Sequence, residues 1–435
     1  MTTTIRELVH ADDYDPNSMP VDKAREFINK VLTPITTTER LHIRAALGRV
    51  IAEDIVSPLD VPGHDNSAMD GWAYRHADLV ALILANPSTG SGRTEVAMKR
   101  VGTSYAGKPY LGPVGVGECA RIFTGAVMPA GCDTVAMQER VTEDAAGVHI
   151  PNDLKLGQNR RFRGEDLKTG ALAVKRGSLV SPATVGLFAS LGIGEVSVYR
   201  KLRVAFFSTG DELKSIGSTL GPGEIYDSNR YTIYSMLERA GCQPIDLGNF
   251  VDSPEAIRAG FQAASANADV VITSGGVSVG EADFIKQMLN EMGEVLFWKI
   301  AMKPGRPMAY GKVGSKGNEA HFFGLPGNPV AVMVTFYQFV RSALATLQGR
   351  TDYMLPPTVK ATLVNTIKKM PGRTEFQRGV LTIGANGCEV RTTGDQGSGI
   401  LSSMTQANCF VVLEHDRGAI GPGELVNVQL FEGLT

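Results

Sequence analysis

Cysteine is scarce in this chain and what there is lies scattered, at Cys119, Cys132, Cys242, Cys388 and Cys409. An odd number without any CxxC pair argues against a disulfide framework and a zinc cluster, and predicts a reducing, cytoplasmic setting. The seven histidines form no HExxH or related array, so a histidine-rich metal site is not expected. Net charge is nearly absent: 43 basic against 45 acidic residues leave −2. No global field therefore argues for nucleic acid or a membrane surface, and any anion site must be local. The opening stretch MTTTIRELVHADDYDPNSMP has no apolar signal core, and no run approaches the roughly 18 apolar residues that span a bilayer. These absences predict a soluble protein with no nucleic-acid and no membrane partner.

What the chain does have is one organising stretch, ADVVITSGGVSVGEADFIKQML, from Ala268 to Leu289. Val270, Val271 and Ile272 form an unbroken β-branched run, which suits a strand covered on both faces. Gly275 and Gly276 end it, and Phe284, Ile285, Met288 and Leu289 then recur at helical spacing. Such a strand, loop and helix aims backbone N–H groups into the positive end of the helix dipole, where an anion is favoured. The loop lacks the GK[ST] of a P-loop and the GxGxxG of a dinucleotide fold, and a structural turn fits it as well. Asp283, in the first helical turn, either complements the dipole or faces a metal.

The surrounding chain predicts several domains, roughly three at about 150 residues each. Val21, Ala24, Phe27, Ile28 and Val31 mark an amphipathic helix before Pro34. After a strand-like segment the polar loop DVPGHDNSAMDGWA follows, and residues 94–149 break into short β segments that suggest an inserted β domain. GQNRRFRGEDLKTG sets three arginines beside two acids, a solvated charge run or an oxyanion loop. From residue 202 strands alternate with helices, the pattern of a doubly wound parallel sheet with helices on both faces. Beyond Gly349, β segments separated by polar turns predict a small barrel or sandwich. The expected organisation is an elongated module of two segments (18–57 and 166–200), an inserted β-rich domain (58–165), an α/β domain (201–350) and a C-terminal β barrel (351–435).

Ligands of open α/β sheets sit beyond the carboxyl ends of the strands. Glu212, Asp252 and Asp283 each follow a predicted strand, so three carboxylates are expected at one edge, an oxygen-rich set suited to Mg2+ with substrate phosphates. Lys299 and Lys303 follow a fourth strand, and LPGNPVA supplies another turn into a helix, Pro326, Gly327 and Asn328, with free N–H groups at its non-proline positions.

DNSAMDG, IFTGA, RGED, STGDEL, TSGGVSVGEADF, KIAMKPGRP, LPGNPVA and FQRG, in that order, resemble the molybdopterin molybdenumtransferase family, that of bacterial MoeA and the gephyrin E domain. The resemblance spans nearly the whole chain from about residue 20 and implies four domains in a homodimer, with the active site between the α/β domain and parts of the partner. It implies insertion of molybdate into adenylylated molybdopterin with release of AMP. By the same resemblance, catalysis falls to Asp65, Glu212, Asp252, Asp283, Lys299 and Lys303, with Mg2+ at the three strand-end acids. Ser274, Gly275, Gly276, Ser278 and Gly280, with Pro326–Asn328, would hold the pterin's phosphate, while Thr124, Arg161 and Asp166 would join Asp65 in lining the cleft. Lys299, Lys303, Arg378 and Ser398 would bind molybdate. A contact with the adenylyltransferase of the preceding step is a further expected partnership. Ala331 stands where some relatives have serine, and Trp72 where tyrosine is expected. Two other functions resemble this one in part: the adenylyltransferase itself, which normally lacks the flanking modules, and a non-enzymatic scaffold, which would not need the acids and lysines together.

Overall fold

The computed structural model describes residues 18–85, 95–275, 288–289, 291–315, 317–353, 357–385 and 387–431. The central domain runs β1 (Arg203–Thr209), α1 (Ser228–Arg239), β2 (Gln243–Phe250), α2 (Pro254–Asn267), β3 (Val270–Ser274), β4 (Gly293–Lys299), β5 (Pro307–Ser315), β6 (Asn318–Leu325) and α3 (Pro329–Leu347). Successive side chains of a strand point to opposite faces. Val204 and Phe206 of β1 thus join a core with α1 and α3, while Ala205 and Phe207 join a second core with α2. Asp227 opens α1 by accepting the Arg230 N–H at 3.2 Å, and Ser253 opens α2 by accepting the Ala256 N–H at 3.3 Å, ahead of Pro254.

The sheet order is β2-β1-β3-β6-β5-β4. β2, β1, β3 and β6 are parallel, but β5 pairs antiparallel with both β6 and β4. The sheet is therefore mixed, not wholly parallel as the alternation suggested. The reason is local: no helix intervenes between β4 and β5 or between β5 and β6, and short connections join only antiparallel neighbours.

The amphipathic helix Val21–Val31 packs on this domain. Phe27 meets Trp298 edge-on at 5.3 Å, and the Met19 N–H donates to Lys299 O at 3.1 Å. The neighbouring module joins two distant segments, pairing Thr38–His42 with Glu195–Tyr199 and Ile55–Val56 with Leu172–Val174, all antiparallel. Between them lies a six-stranded sheet ordered Thr134–Met137, Gly71–Tyr74, Glu118–Ile122, Glu95–Ser104, Gly147–Pro151 and Thr142–Asp144. At the C-terminus Thr374–Gly384, Gly387–Thr392, Thr358–Leu363, Leu425–Leu430 and Cys409–Leu413 close on themselves, because Thr374–Gly384 pairs with both its neighbours around a five-stranded barrel.

α3 runs 19 residues at a mean hydropathy of 1.4, enough by length and composition to cross a bilayer, contrary to the expectation that no run would qualify. Its burial accounts for the composition: 78% of that window is covered by the rest of the fold.

Because the Phe27 ring fills part of the shared core, Phe27→Ala is expected to destabilise the central domain by about 3–5 kcal/mol. The check is the urea transition followed by Trp298 fluorescence in a Trp72→Phe background. An unshifted midpoint would mean that the helix is a passive appendage.

Candidate active site

β1 connects to β2 on one side, and the chain then crosses to β3 on the other. The carboxyl ends of β1 and β3 therefore flank the point at which the winding reverses, where open α/β sheets leave a crevice. A cavity of about 1090 Å³ opens there. Thr209 and Glu212 line it after β1, Ser274 and Gly275 after β3, Pro326–Asn328 after β6, and Asp227–Asn229 at the start of α1. Gly275 has φ +88°, and a Cβ on it would come within 2.8 Å of Thr209 O, so only glycine lets the two strand ends approach this closely.

The fourth wall is built by two domains at once. Met302–Lys303 leaves the central sheet and pairs in parallel with Thr374 and Glu375 of the barrel, which brings Lys303 into the cavity with Pro304, Gly305 and Arg306. Gly305, at φ +101°, packs against Thr335, whose Cγ2 would lie 2.6 Å from a Cβ there. The barrel also supplies the loop Asp395–Gly399, with Ser398. That loop docks on the start of α3, since the Val330 N–H donates to Ser398 O at 3.1 Å.

Arg378 lies beneath this loop. It is 1% exposed and its guanidinium donates to Ser403 Oγ (2.9 Å), Gln396 O (3.2 Å), Asp395 O (3.4 Å) and Gly397 O (2.9 Å). It does not line the cavity. Lys299 ends β4 on the same sheet edge, opposite Pro307, and is likewise absent from the lining.

Glu212 lines the cavity, while Asp252 is exposed beside Asp211, whose Oδ1 accepts the Asp252 N–H at 3.2 Å. Neither Glu212 nor Asp252 has an ion-pair partner among the described residues. Gly276, Ser278, Gly280 and Asp283 lie outside the described residues, so the three acids cannot be placed together. Among the described residues no group of three or more His, Cys, Asp or Glu side chains forms a metal-binding cluster.

The residues expected from the inserted domain and its borders are held by local pairs. Asp65 accepts the Arg163 N–H at 2.7 Å and pairs with Arg160, and these contacts lower its pKa. Thr124 donates its N–H and its hydroxyl to Asp70 Oδ1, each at 2.8 Å. Arg161 pairs in the backbone with Asn66, and Asp166 is exposed. None of the four lines the cavity of its own chain. The RGED loop is fixed by Asp60, which accepts from the Thr169 N–H (2.8 Å), the Thr169 hydroxyl (2.9 Å) and Arg163 Nε (2.5 Å).

Sequence reasoning overlooked Asp227, Asn229, Arg306 and the Asp395–Gly397 turn. Asp227, Ser228 and Asn229 carried only the ordinary signature of a helix start, and Arg306 stood inside KPGRP without being singled out.

The three regions of the chain match known sequence families in order. Residues 19–192 match the MoeA N-terminal region (domain I and II), 205–346 a probable molybdopterin binding domain, and 360–431 the MoeA C-terminal region (domain IV). The chain is 44% identical to the molybdopterin molybdenumtransferase of Haemophilus influenzae over 96% of its own length and 99% of the relative's. The chain belongs to the MoeA family. Another family member, the molybdopterin molybdenumtransferase of a Nostoc species, is 35% identical over 95% of this chain and 94% of its own. The crystal structure of the molybdopterin biosynthesis moeA protein from Pyrococcus horikoshii superposes with a TM-score of 0.80 at 29% identity, covering 95% of this chain and all of that one.

Two outcomes follow from the electrostatics of this MoeA-family chain. The donors around Asp60, the Thr169 N–H foremost, lower its pKa from the ordinary 3.8 to about 2. A depressed carboxyl stabilises the folded loop in full above pH 3.8 and loses that contribution as pH falls through about 2. A carbon-detected titration of the Asp60 carboxyl should therefore have its midpoint near 2, and a midpoint at the ordinary value would remove the assigned contacts. Burial pushes the thiols of Cys119, Cys132, Cys242 and Cys409 up to about 12, whereas Cys388 is half-buried. A disulfide reagent at neutral pH should label the native protein once, at Cys388, and Cys388→Ser should abolish that labelling.

Proposed function

We propose that this chain is a molybdopterin molybdenumtransferase: it inserts molybdate into adenylylated molybdopterin, releases AMP and yields molybdenum cofactor. The observation that carries this is the cavity at the winding reversal, where glycine-bearing turns, Lys303 and Arg306 meet the barrel loop of Ser398 in a chain that keeps all the MoeA regions.

The turns at Ser274–Gly275 and Pro326–Asn328 receive the terminal phosphate of the pterin, and Gly276, Ser278 and Gly280, which follow in the sequence, share that role. Lys303 and Ser398, which line the cavity, hold the tetrahedral dianion molybdate, and Lys299 at the same sheet edge adds to the charge that attracts it; Arg378 acts by holding the Ser398 loop in place. Glu212, Asp252 and Asp283 would hold Mg2+, a hard cation that takes one or two carboxylates together with substrate phosphate oxygens. Glu212 and Asp252, without ion-pair partners among the described residues, suit such a cation, which would neutralise charge on the adenylyl–phosphate linkage as it is cleaved. Molybdenum takes its sulfur ligands from the dithiolene of the substrate, in keeping with the burial of Cys119, Cys132, Cys242 and Cys409 away from the cavity.

Asp65, Thr124, Arg161 and Asp166 reach the site from a partner subunit of a homodimer. The absence of all four from the cavity of their own chain supports that arrangement. The enzyme works in the cytoplasm and receives its substrate from the adenylyltransferase of the preceding step. The adenylyltransferase function itself is disfavoured by the flanking modules, and a purely scaffolding role by a cavity that gathers Lys303, Arg306 and Glu212 at the sheet edge.

Purified protein given adenylylated molybdopterin, Mg2+ and molybdate should release AMP in a molybdate-dependent manner and reconstitute a cofactor-free molybdoenzyme. Lys303→Ala should lower that rate by about 100-fold or more, as loss of a positioned charge at a reacting oxyanion does. AMP release that ignored molybdate would sink the assignment. If Asp65 acts in the partner's site, an equal mixture of reassociated Asp65→Ala and Lys303→Ala subunits should regain about a quarter of wild-type activity, because half the dimers then hold one intact site of two. No recovery would place Asp65 elsewhere.

A further inference from the structure

Asn229 is 8% exposed and lies on the first turn of α1, where the cavity begins. Its Nδ2 donates to Ser274 Oγ at 2.8 Å and to Gly327 O at 2.6 Å. One side chain is thus bonded to two different strand-end turns, those after β3 and β6. The two turns also touch directly: the Gly275 N–H donates to Leu325 O at 3.2 Å, and a Cβ on Gly327 would lie 3.9 Å from Gly275 Cα.

The bond to Ser274 has a direction. An amide nitrogen only donates, so Ser274 Oγ accepts from Asn229 and keeps its own proton for another acceptor. The bond to Gly327 O fixes which end of the amide carries the nitrogen, since a carbonyl cannot donate. Ser274 is itself buried at 2% exposure and lines the cavity, so its hydroxyl has one face to the amide and its donor available to a ligand oxygen. Among the described residues Asn229 Oδ1 is buried without a partner, and the two donated bonds hold the amide.

We infer that Asn229 is a positioning residue of the site: it turns the Ser274 hydroxyl into a donor for a phosphate oxygen of the substrate and sets the spacing of the Ser274–Gly275 and Gly327 turns before the substrate arrives. This rests on the phosphate-holding role proposed above for those turns. Donors fixed in advance spare the ligand the cost of ordering them, so their loss appears in binding rather than in the chemical step.

The test compares wild type, Asn229→Ala, Ser274→Ala and the double variant. The first measurement is AMP release, separated into KM and kcat. Asn229→Ala should raise KM for adenylylated molybdopterin about 10-fold, the worth of roughly one charge-assisted hydrogen bond, and leave kcat within about twofold. Because Asn229 acts through Ser274, the double variant should lose less than the product of the two single losses. The second measurement uses no ligand: amide exchange at Gly275 should quicken in Asn229→Ala while the melting temperature holds. Unchanged exchange, losses that multiply, or a fall in kcat with KM intact would each overturn the inference. Should Asn229→Ala not fold, Asn229→Asp carries the same measurements, since its carboxylate keeps the shape and donates neither bond. If wild type releases no AMP, the proposed function fails, and the exchange measurement still decides whether Asn229 fixes the turns.

Discussion

A helix that is apolar over most of its circumference must be covered over most of its sides, and α3 is such a helix. Residues from the helix Val21–Val31, from β1, β3 and β6, from α1, and from the barrel at Phe376 and Phe410 all share one core with it. Polar threads follow the same route. Arg25 donates to Gln338 O at 3.0 Å, and Gln338 Nε2 donates to Gln429 at 2.7 Å, which ties the N-terminal helix, α3 and the barrel together. Covering α3 leaves the N-terminal helix, the sheet and the barrel little freedom in their relative placement. The amino end of α3, where the Val330 N–H is taken by the Ser398 carbonyl of the barrel loop, is then presented between the sheet edge and the barrel, which is where the cavity opens.

That arrangement explains why the cavity draws its groups from such distant parts of the sequence. The sheet contributes what an α/β edge always offers, backbone donors at glycine turns. The barrel contributes a loop held from below. Arg378 is well suited to this because the planar fork of a guanidinium meets several carbonyls at once, which the single ammonium of a lysine does not. The cavity is therefore bounded by hydrogen-bonded turns at the sheet edge and by groups from two domains at the wall of Lys303 and Arg306.

Legibility of these features in the sequence followed their range. β1 and β3 stood out because strands covered on both faces carry unbroken apolar runs. The edge that carries Glu212, Lys303 and Pro326–Asn328 followed from the alternation of strands and helices, whereas the point of winding reversal on it is given only by the strand order of the folded sheet. The antiparallel β5 was also encoded, in the missing helices on either side of it. Pairings across the chain were not. Arg160 meets Asp65 across 95 residues and Thr124 meets Asp70 across 54, separations at which one sequence carries no signal. Arg378 was singled out only through the family resemblance, and its burial was not legible because it depends on a loop that folds over it. Asn229 looked like any polar residue at a helix start, and only the turns of β3 and β6 give it a second purpose.

The paired segments at Ile55–Val56 with Leu172–Val174 and at Asn66–Ser67 with Arg160–Arg161 have a topological consequence. The chain leaves for the inserted sheet and returns from it side by side, through a two-stranded neck. Cut across that neck, the chain would present two ends within a tight turn of each other, and the continuous core around α3 would lose none of its residues. The insertion is in that sense a detachable cassette: its sheet can diverge in sequence, lengthen its loops or change its outer surface while the body that carries the cavity folds as before.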